Sequence, residues 1–486
     1  MTRTAVAPAR EAARAMPDPG RAGAARPRRR RWTGWAVAAV VYAVVATWSV
    51  HLKATESTEA FIDLYLDGVH LQADGAVADV QARRPATYLP GSRVLAADAD
   101  DPAAQALARE QRDWLAAGTL PGAGTRYEGL VESALLDIRT LTGAAFEDER
   151  GTLRSAPGAA VAGWTDRWRY VWPRDASFVA AALARTGHPE DAVAVLGFVR
   201  DVQTDDGGFQ ARYLADASGV PDSRGVQLDG NGWVLWSAAT VLDTIEDPVA
   251  RRAALTELRP LVDRSVDHLL VLTDTAPHLP PPSSDYWEVR EDDLTLGTVA
   301  PLLAGLEHAA TLYDDAGEPR RAAAAAERAA QLRTAVEETF RPDGYTRYAG
   351  DAGPMTTLLG GNGRDAATAM LLPPFTTPLP GAEEAWLASV DEMARPAGGV
   401  APGAGWKRDG ISWTPETTLY ALVAASSGHH ELAAAWLDWV SAHRTGSGAI
   451  PEKVLANGAP AAVAPLSWSS ANVVLAVAAL EDAGAL

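Results

Sequence analysis

Stretches with apolar residues at helical spacing, broken again and again by loops rich in Gly, Pro and Trp, constrain this chain more than any other feature. They fall at 102–117, 127–141, 175–187, 189–203, 228–244, 248–273, 295–313, 317–340, 363–371, 382–394, 415–427, 429–444 and 466–483. The first reads as a lead-in. The remaining twelve make six helix pairs, and β-signals such as "GYTRY" and "GTLRS" are few and short. An all-helical layered body is the economical solution. Pairs closed into a ring, an (α/α)6 barrel or six-hairpin toroid, set one family of loops around a single crevice. An open helical solenoid would need a repeat of fixed length, and none is visible.

The chain ahead of this body has a different character. Residues 1–31 carry nine Arg and two acids, so the rest of a chain of net charge −19 stands near −26. Such an acidic body is a poor partner for nucleic acid. The uncharged segment Trp32–Val50, "WTGWAVAAVVYAVVATWSV", is long enough at 1.5 Å per residue to cross most of a hydrocarbon layer of roughly 30 Å. "RPRRRR" just before it predicts an uncleaved single-pass signal anchor with a basic cytoplasmic tail and the acidic body outside the cell membrane. A cleavable signal peptide is the competing reading, and "WSVHLKATES" is a poor cleavage site. Residues 51–105 read as a membrane-proximal stalk or cap, and 106–486 as the catalytic body. There is no cysteine, which removes disulfides and thiolate metal sites.

Chemistry concentrates in the loops. "DRWRYVWPRDAS" (166–177), "QLDGNGW" (227–233), "DYWEVRED" (285–292) and "GAGWKRDGISW" (403–413) set Trp or Tyr beside Arg, Lys, Asp or Glu, and "GAIPEKV" (448–454) sets Glu beside Lys in a Gly- and Pro-shaped loop. Aromatic faces that stack on sugar rings, with charged groups that bind hydroxyls, describe a carbohydrate site. Tyr170, Trp172, Trp287 and Trp413 are the candidate platforms, and Arg174, Asp175 and Asp229 the candidate polar contacts. Glycosidic hydrolysis needs one protonated and one ionised carboxyl across a pocket. Glu288, behind Tyr286 and Trp287, has the aromatic surroundings that desolvate an acid and keep its proton. Glu452 has Lys453 beside it, which suits an ionised base. No HExxH, GxSxG or GxxxxGK[ST] motif is present, and no metal or cofactor is expected.

From about Gln111 to Leu486 the ordered blocks resemble glycoside hydrolase family 15, the glucoamylase and glucodextranase family. "YVWPRDAS" is similar to the signature whose Arg–Asp pair grips the non-reducing-end sugar, which gives those roles to Arg174 and Asp175 with Trp172 alongside. "DYWEVRED" resembles the general-acid block and "GAIPEKVLANGAPAAVAPLSWSSA" the general-base block, so the resemblance implies Glu288 as acid and Glu452 as base. "QLDGNGWVLWSA" and "GISWTPETTLYAL" resemble two further blocks, the latter near the acceptor subsites. The family fold is an (α/α)6 barrel, and its reaction inverts without metal. An exo-acting α-glycosidase releasing glucose is therefore expected. A trehalase or another envelope-glycan hydrolase, or an inactive glycan-binding protein, are the alternatives. One departure is Val289, where many members carry a second Glu that contacts the acceptor sugar.

Overall fold

The computed structural model describes residues 61–147, 153–154, 156–165, 167–350 and 362–486. The basic tail and the apolar segment 32–50 lie outside them. Among the described residues no helix is long and apolar enough to cross a membrane.

Among the described residues twelve α-helices make up most of the body: α1 (Pro102–Ala117), α2 (Glu128–Leu141), α3 (Pro173–Arg185), α4 (Pro189–Val202), α5 (Asp229–Asp243), α6 (Pro248–Leu272), α7 (Leu296–Asp315), α8 (Pro319–Phe340), α9 (Ala382–Met393), α10 (Thr414–Ser426), α11 (His430–Ala442) and α12 (Ser467–Asp482). Proline is the first residue of α1, α3, α4, α6 and α8, where its missing N–H costs nothing. Asp101 and Asp247 cap α1 and α6 by accepting from backbone N–H groups of the first turn. The expected helix at 363–371 is instead a 3-10 segment, Ala366–Leu371. Asp365 caps it through the Ala367 N–H, and Pro373 and Pro374 follow directly, so no room is left for a full α-helix.

The ring closes on itself. Helices α3, α5 and α7, the 3-10 segment, α10 and α12 touch in that order, and α12 returns to α3. Each packs an outer partner: α4, α6, α8, α9, α11 and, beside α12, α2. Inner and outer helices differ as their surroundings demand. α12, "SWSSANVVLAVAALED", is buried on nearly every side, whereas α8 buries Ala325, Ala329, Leu332 and Val336 along one stripe of an otherwise polar helix. Where α5 crosses α7 the backbones nearly touch. A Cβ on Gly232 would sit 2.0 Å from the Pro301 carbonyl oxygen, so only glycine fits. Phe178, Trp233, Trp236 and Phe375 plug the middle of the ring with ring centroids 4.9–5.8 Å apart for the pairs involving Phe178.

Residues 61–101 are not a separate stalk. They belong to the same compact unit as the barrel. The hairpin of β1 (Leu66–Leu71) and β2 (Val77–Gln81) contributes Leu66, Val69 and Val77 to the main core. Arg93, buried, pairs with buried Asp137 of α2 at 2.5 Å, and the Asp67 carboxylate accepts from the Ser447 N–H at 2.7 Å. The remaining strands are two-residue pieces that pin loops together. β3 (Phe146–Glu147) pairs β4 (Leu153–Arg154), and β5 (Tyr170–Val171) pairs β6 (Tyr213–Leu214). β7 (Ser412–Trp413), β8 (Lys453–Val454) and β9 (Pro460–Ala461) form a three-stranded ribbon.

Candidate active site

The chain enters α3, α5, α7, α10 and α12 at one end of the ring, and the candidate residues gather there. Trp172, Arg174, Asp175, Trp287, Glu288, Trp413 and Glu452 line a single cavity of about 260 Å³. Trp468, in the first turn of α12, forms part of its wall and rests on Phe178 of the central plug at 5.7 Å. The hole therefore ends blind inside the barrel. A larger groove of about 990 Å³ lies toward the C-terminal ends of α5 and α7, and none of the candidate residues reaches it.

Arg174 organises the inner end. Its guanidinium donates to Asp229 Oδ2 at 3.1 Å and to Glu288 Oε1 at 3.4 Å, lies 3.5 Å from Asp175 Oδ2, and stacks over Trp468 at 4.9 Å. Burial pushes the Asp175 carboxyl up to about 6, against the pull of Arg174. Asp175 Oδ2 has no hydrogen-bond partner within the protein and faces the cavity edge. Two expected contacts fall elsewhere. Asp229, 1% exposed, sits behind Arg174 and anchors it instead of lining the cavity. Tyr170 lies beneath Arg212, whose guanidinium stacks over it at 4.8 Å and over Trp172 at 5.1 Å.

Glu288 is held in a left-handed backbone conformation, φ +54°, that is costly for a residue with a Cβ. The turn survives because the Glu288 N–H donates to the Asp285 carbonyl at 2.8 Å and the Trp287 N–H to Asp285 Oδ1 at 2.9 Å. Asp285 is in turn fixed by Arg347, which also pairs with Asp365 at 2.7 Å and Glu291 at 2.6 Å and lies 3.8 Å from the centre of the Trp287 ring. Gly403 gives Trp287 its seat, since a Cβ there would fall 2.4 Å from the indole. Tyr286 and Trp287 line the cavity with Glu288, yet the carboxyl's polar partners are guanidinium groups. Tyr286 turns inward to donate to the Pro402 carbonyl, and Glu288 instead meets two guanidinium groups, Arg174 and Arg224.

Glu452 comes from the loop entering β8. Its N–H donates to the Val463 carbonyl and its carbonyl accepts from the Thr414 N–H, which fixes its backbone against both flanking segments. Trp168 Nε1 donates to its carboxylate at 3.2 Å, and Lys453 Nζ lies 3.1 Å from the other oxygen. Lys453 also sits 4.2 Å over Trp413, which continues through Trp406 to Trp287 as a wall of edge-on indoles at 5.5 and 4.9 Å.

Arg212, Arg224 and Glu416 also line the cavity. Arg212 and Arg224 come from the segment between β6 and α5 and its approach, where both contact Asp222. Burial and the neighbouring Arg212 charge lower the Arg224 guanidinium from its ordinary value. Glu416, third residue of α10, is 2% exposed, and burial pushes its carboxyl up to about 8. Arg224 sits in an ordinary Gly- and Ser-containing loop without a signal. Glu416 reads in sequence as a first-turn acid of the kind that suits any helix N-terminus.

The same architecture recurs in solved glycosidases. A wild-type glycosidase aligns with this chain at 22% identity over 74% of this chain and 96% of its own, with a TM-score of 0.57. The fold is that of the glucoamylases. A bacterial glucoamylase solved with acarbose aligns at 18% identity over 77% of this chain and 58% of its own, TM-score 0.59. The glucoamylase of Saccharomycopsis fibuligera aligns at 12% identity over 76% of this chain and 98% of its own, TM-score 0.57. No family model matches the chain, and no curated protein matches it. Among the described residues, no group of three His, Cys, Asp or Glu is arranged to hold a metal ion.

Proposed function

We propose that the chain is a glycoside hydrolase of the glucoamylase type, exo-acting and inverting, that releases a monosaccharide, glucose by this reading, from the non-reducing end of an α-linked saccharide. The observation that carries the proposal is that Glu288 and Glu452, far apart in sequence, open on one blind cavity beside Arg174 and Asp175. At about 260 Å³ that cavity is just below the usual range of roughly 300–1,000 Å³ for ligand sites. It suits one terminal sugar better than the middle of a chain.

In this mechanism Glu452 accepts a proton from a water that attacks C1, while Glu288 gives its proton to the departing glycosidic oxygen. The C1–oxygen bond breaks as the new one forms on the opposite face, and the anomeric configuration inverts. Arg174 and Asp175 bind ring hydroxyls, and the Trp287–Trp406–Trp413 wall borders the sugar. For Glu288 to carry a proton, Arg224 must leave it when the saccharide enters. Lys453 and the Trp168 N–H hold the Glu452 carboxylate in place to receive the water's proton.

Glu288→Gln and Glu452→Gln should each slow maltose, isomaltose or trehalose turnover by about 10²-fold or more while sugar binding persists. Near-normal turnover in either variant would remove that residue from the mechanism. One observation favours a second reading: a carboxylate paired with two guanidinium groups, as Glu288 is, resembles a binding residue more than a proton donor. An inactive glycan-binding protein would bind the same panel and cleave none of it. The proposal also keeps the body outside the membrane on the segment 32–50, and recovery of the protein in the detergent-extracted membrane fraction would check it.

A further inference from the structure

The cavity holds a carboxyl that the mechanism above does not use. Glu416 follows Trp413, Thr414 and Pro415 at the start of α10, and this turn is clamped in place. Thr414 Oγ1 donates to the Pro451 carbonyl at 2.5 Å and lies 2.8 Å from Ser469 Oγ of α12. The clamp aims Glu416 between the Glu452 loop and the inner end of the cavity. One of its oxygens, Oε2, is buried without a hydrogen-bond partner in the protein. The cations whose charge reaches it, Arg174 and Lys453, are already committed to Asp229 and Glu452.

A buried carboxylate with neither a cation nor a full set of donors is costly, whereas a protonated carboxyl in the same place can both donate and accept. Sugar hydroxyls offer the complementary pair of functions. Resting on the glycosidase reading, we propose that Glu416 is a third functional carboxyl of the site, a protonated side chain that donates a hydrogen bond to a hydroxyl of the terminal sugar. It is thus a binding residue that sets affinity for the donor sugar, separate from the acid–base pair.

The charges facing it define the working pH window. Arg174 and Asp175 approach from α3, Tyr286 and Glu288 from the loop before α7, and Glu452 and Lys453 from the β8 loop. Asp175 titrates near 6, on the acid side. Tyr286 is raised well above its ordinary value by burial and stays neutral. Glu416, pushed by burial to about 8, loses its proton on the alkaline side.

The test uses the full chain carrying Glu288→Gln, which removes turnover. Binding of maltose, isomaltose and trehalose is measured by calorimetry from pH 6.5 to 9. For whichever sugar binds, affinity should hold to about pH 7.5 and then fall toward tenfold per pH unit beyond about 8. Adding Glu416→Gln, which keeps a neutral donor, should leave affinity at pH 7 within about threefold and abolish the alkaline fall, while Glu416→Ala should weaken binding about tenfold at pH 7 and also show no alkaline fall. The inference is overturned if the fall persists with Gln, if Gln binds as poorly as Ala while circular dichroism shows both folded, or if Ala binds like the parent. Failure of the parent to bind any of the three sugars would instead overturn the glycosidase reading on which the inference rests.

Discussion

Replacing Arg347 by methionine should damage this protein more than any other single surface-to-core charge deletion near the site. The guanidinium is 2% exposed and holds Asp285 at 2.9 Å, Asp365 at 2.7 Å and Glu291 at 2.6 Å. Methionine fills most of the volume and leaves those carboxylates facing one another out of water. Breaking a buried pair by removing one partner costs about 3–5 kcal/mol, and this change strips three partners at once, so the upper part of that range applies at pH 7. Part of the loss is recoverable by protonation. Burial already raises the Asp365 carboxyl and Arg347 is the chief force lowering it, so Arg347→Met raises it further. A carboxyl whose folded value exceeds its unfolded one destabilises the fold progressively as pH rises from the unfolded value through the folded one. The deficit should therefore be smaller at pH 5 than at pH 8. Urea unfolding followed by tryptophan fluorescence at the two pH values measures it. The same variant frees Asp285, which holds the turn at Glu288, so kcat/KM should fall even under conditions where the protein stays folded. A variant within about 1 kcal/mol of the parent at pH 7, with no dependence on pH, would refute the reasoning.

Two further outcomes follow from the site. Glu416 is neutral in the fold up to about pH 8 but ionises near its ordinary value when unfolded. Stability therefore falls with rising pH between those values, by up to about 1.4 kcal/mol per unit, and Glu416→Gln should gain on the parent in thermal unfolding at pH 7.5 but not at pH 4. Removing the cation that rests on Glu288, by Arg224→Leu, should raise kcat/KM, because the carboxyl no longer has to shed a guanidinium before it can carry a proton. An unchanged or lowered kcat/KM would mean that Arg224 does not govern the acid.

The helices were legible because two local signals agree. Apolar spacing marks their buried stripes, and proline or aspartate stands where they begin, as at Pro173, Pro248 and Asp247. The segment before Pro373 carries the same spacing yet winds as a 3-10 turn, because apolar spacing does not separate two helices of similar pitch over six residues. Sequence alone sets 51–105 apart as a stalk or cap because the partners of its described residues are remote: Tyr65 bonds to Ala462, Asp67 to Ser447 and Arg93 to Asp137. Aromatic and charged loops drew attention to most of the cavity lining, since few other needs put Trp beside Asp and Arg. What they could not convey is direction. The Glu288 carboxyl lines the same cavity as Tyr286 and Trp287 but pairs with Arg174 and Arg224, the Tyr286 hydroxyl is committed to the Pro402 carbonyl, and Tyr170 lies under Arg212. Arg224 comes from a loop with no chemical signature, and Glu416 carries one that every helix start can carry.

The central claim is that Glu288 and Glu452 work across one pocket to replace a glycosidic bond with inversion. Proton NMR of maltose, isomaltose and trehalose during the first minutes after addition of the parent protein tests it most directly, because the two anomers of free glucose resolve before they equilibrate. The account predicts that β-glucose appears first from at least one of the three and that Glu288→Gln and Glu452→Gln release none on that timescale. Early α-glucose, or binding of these sugars with no release at all, would contradict it.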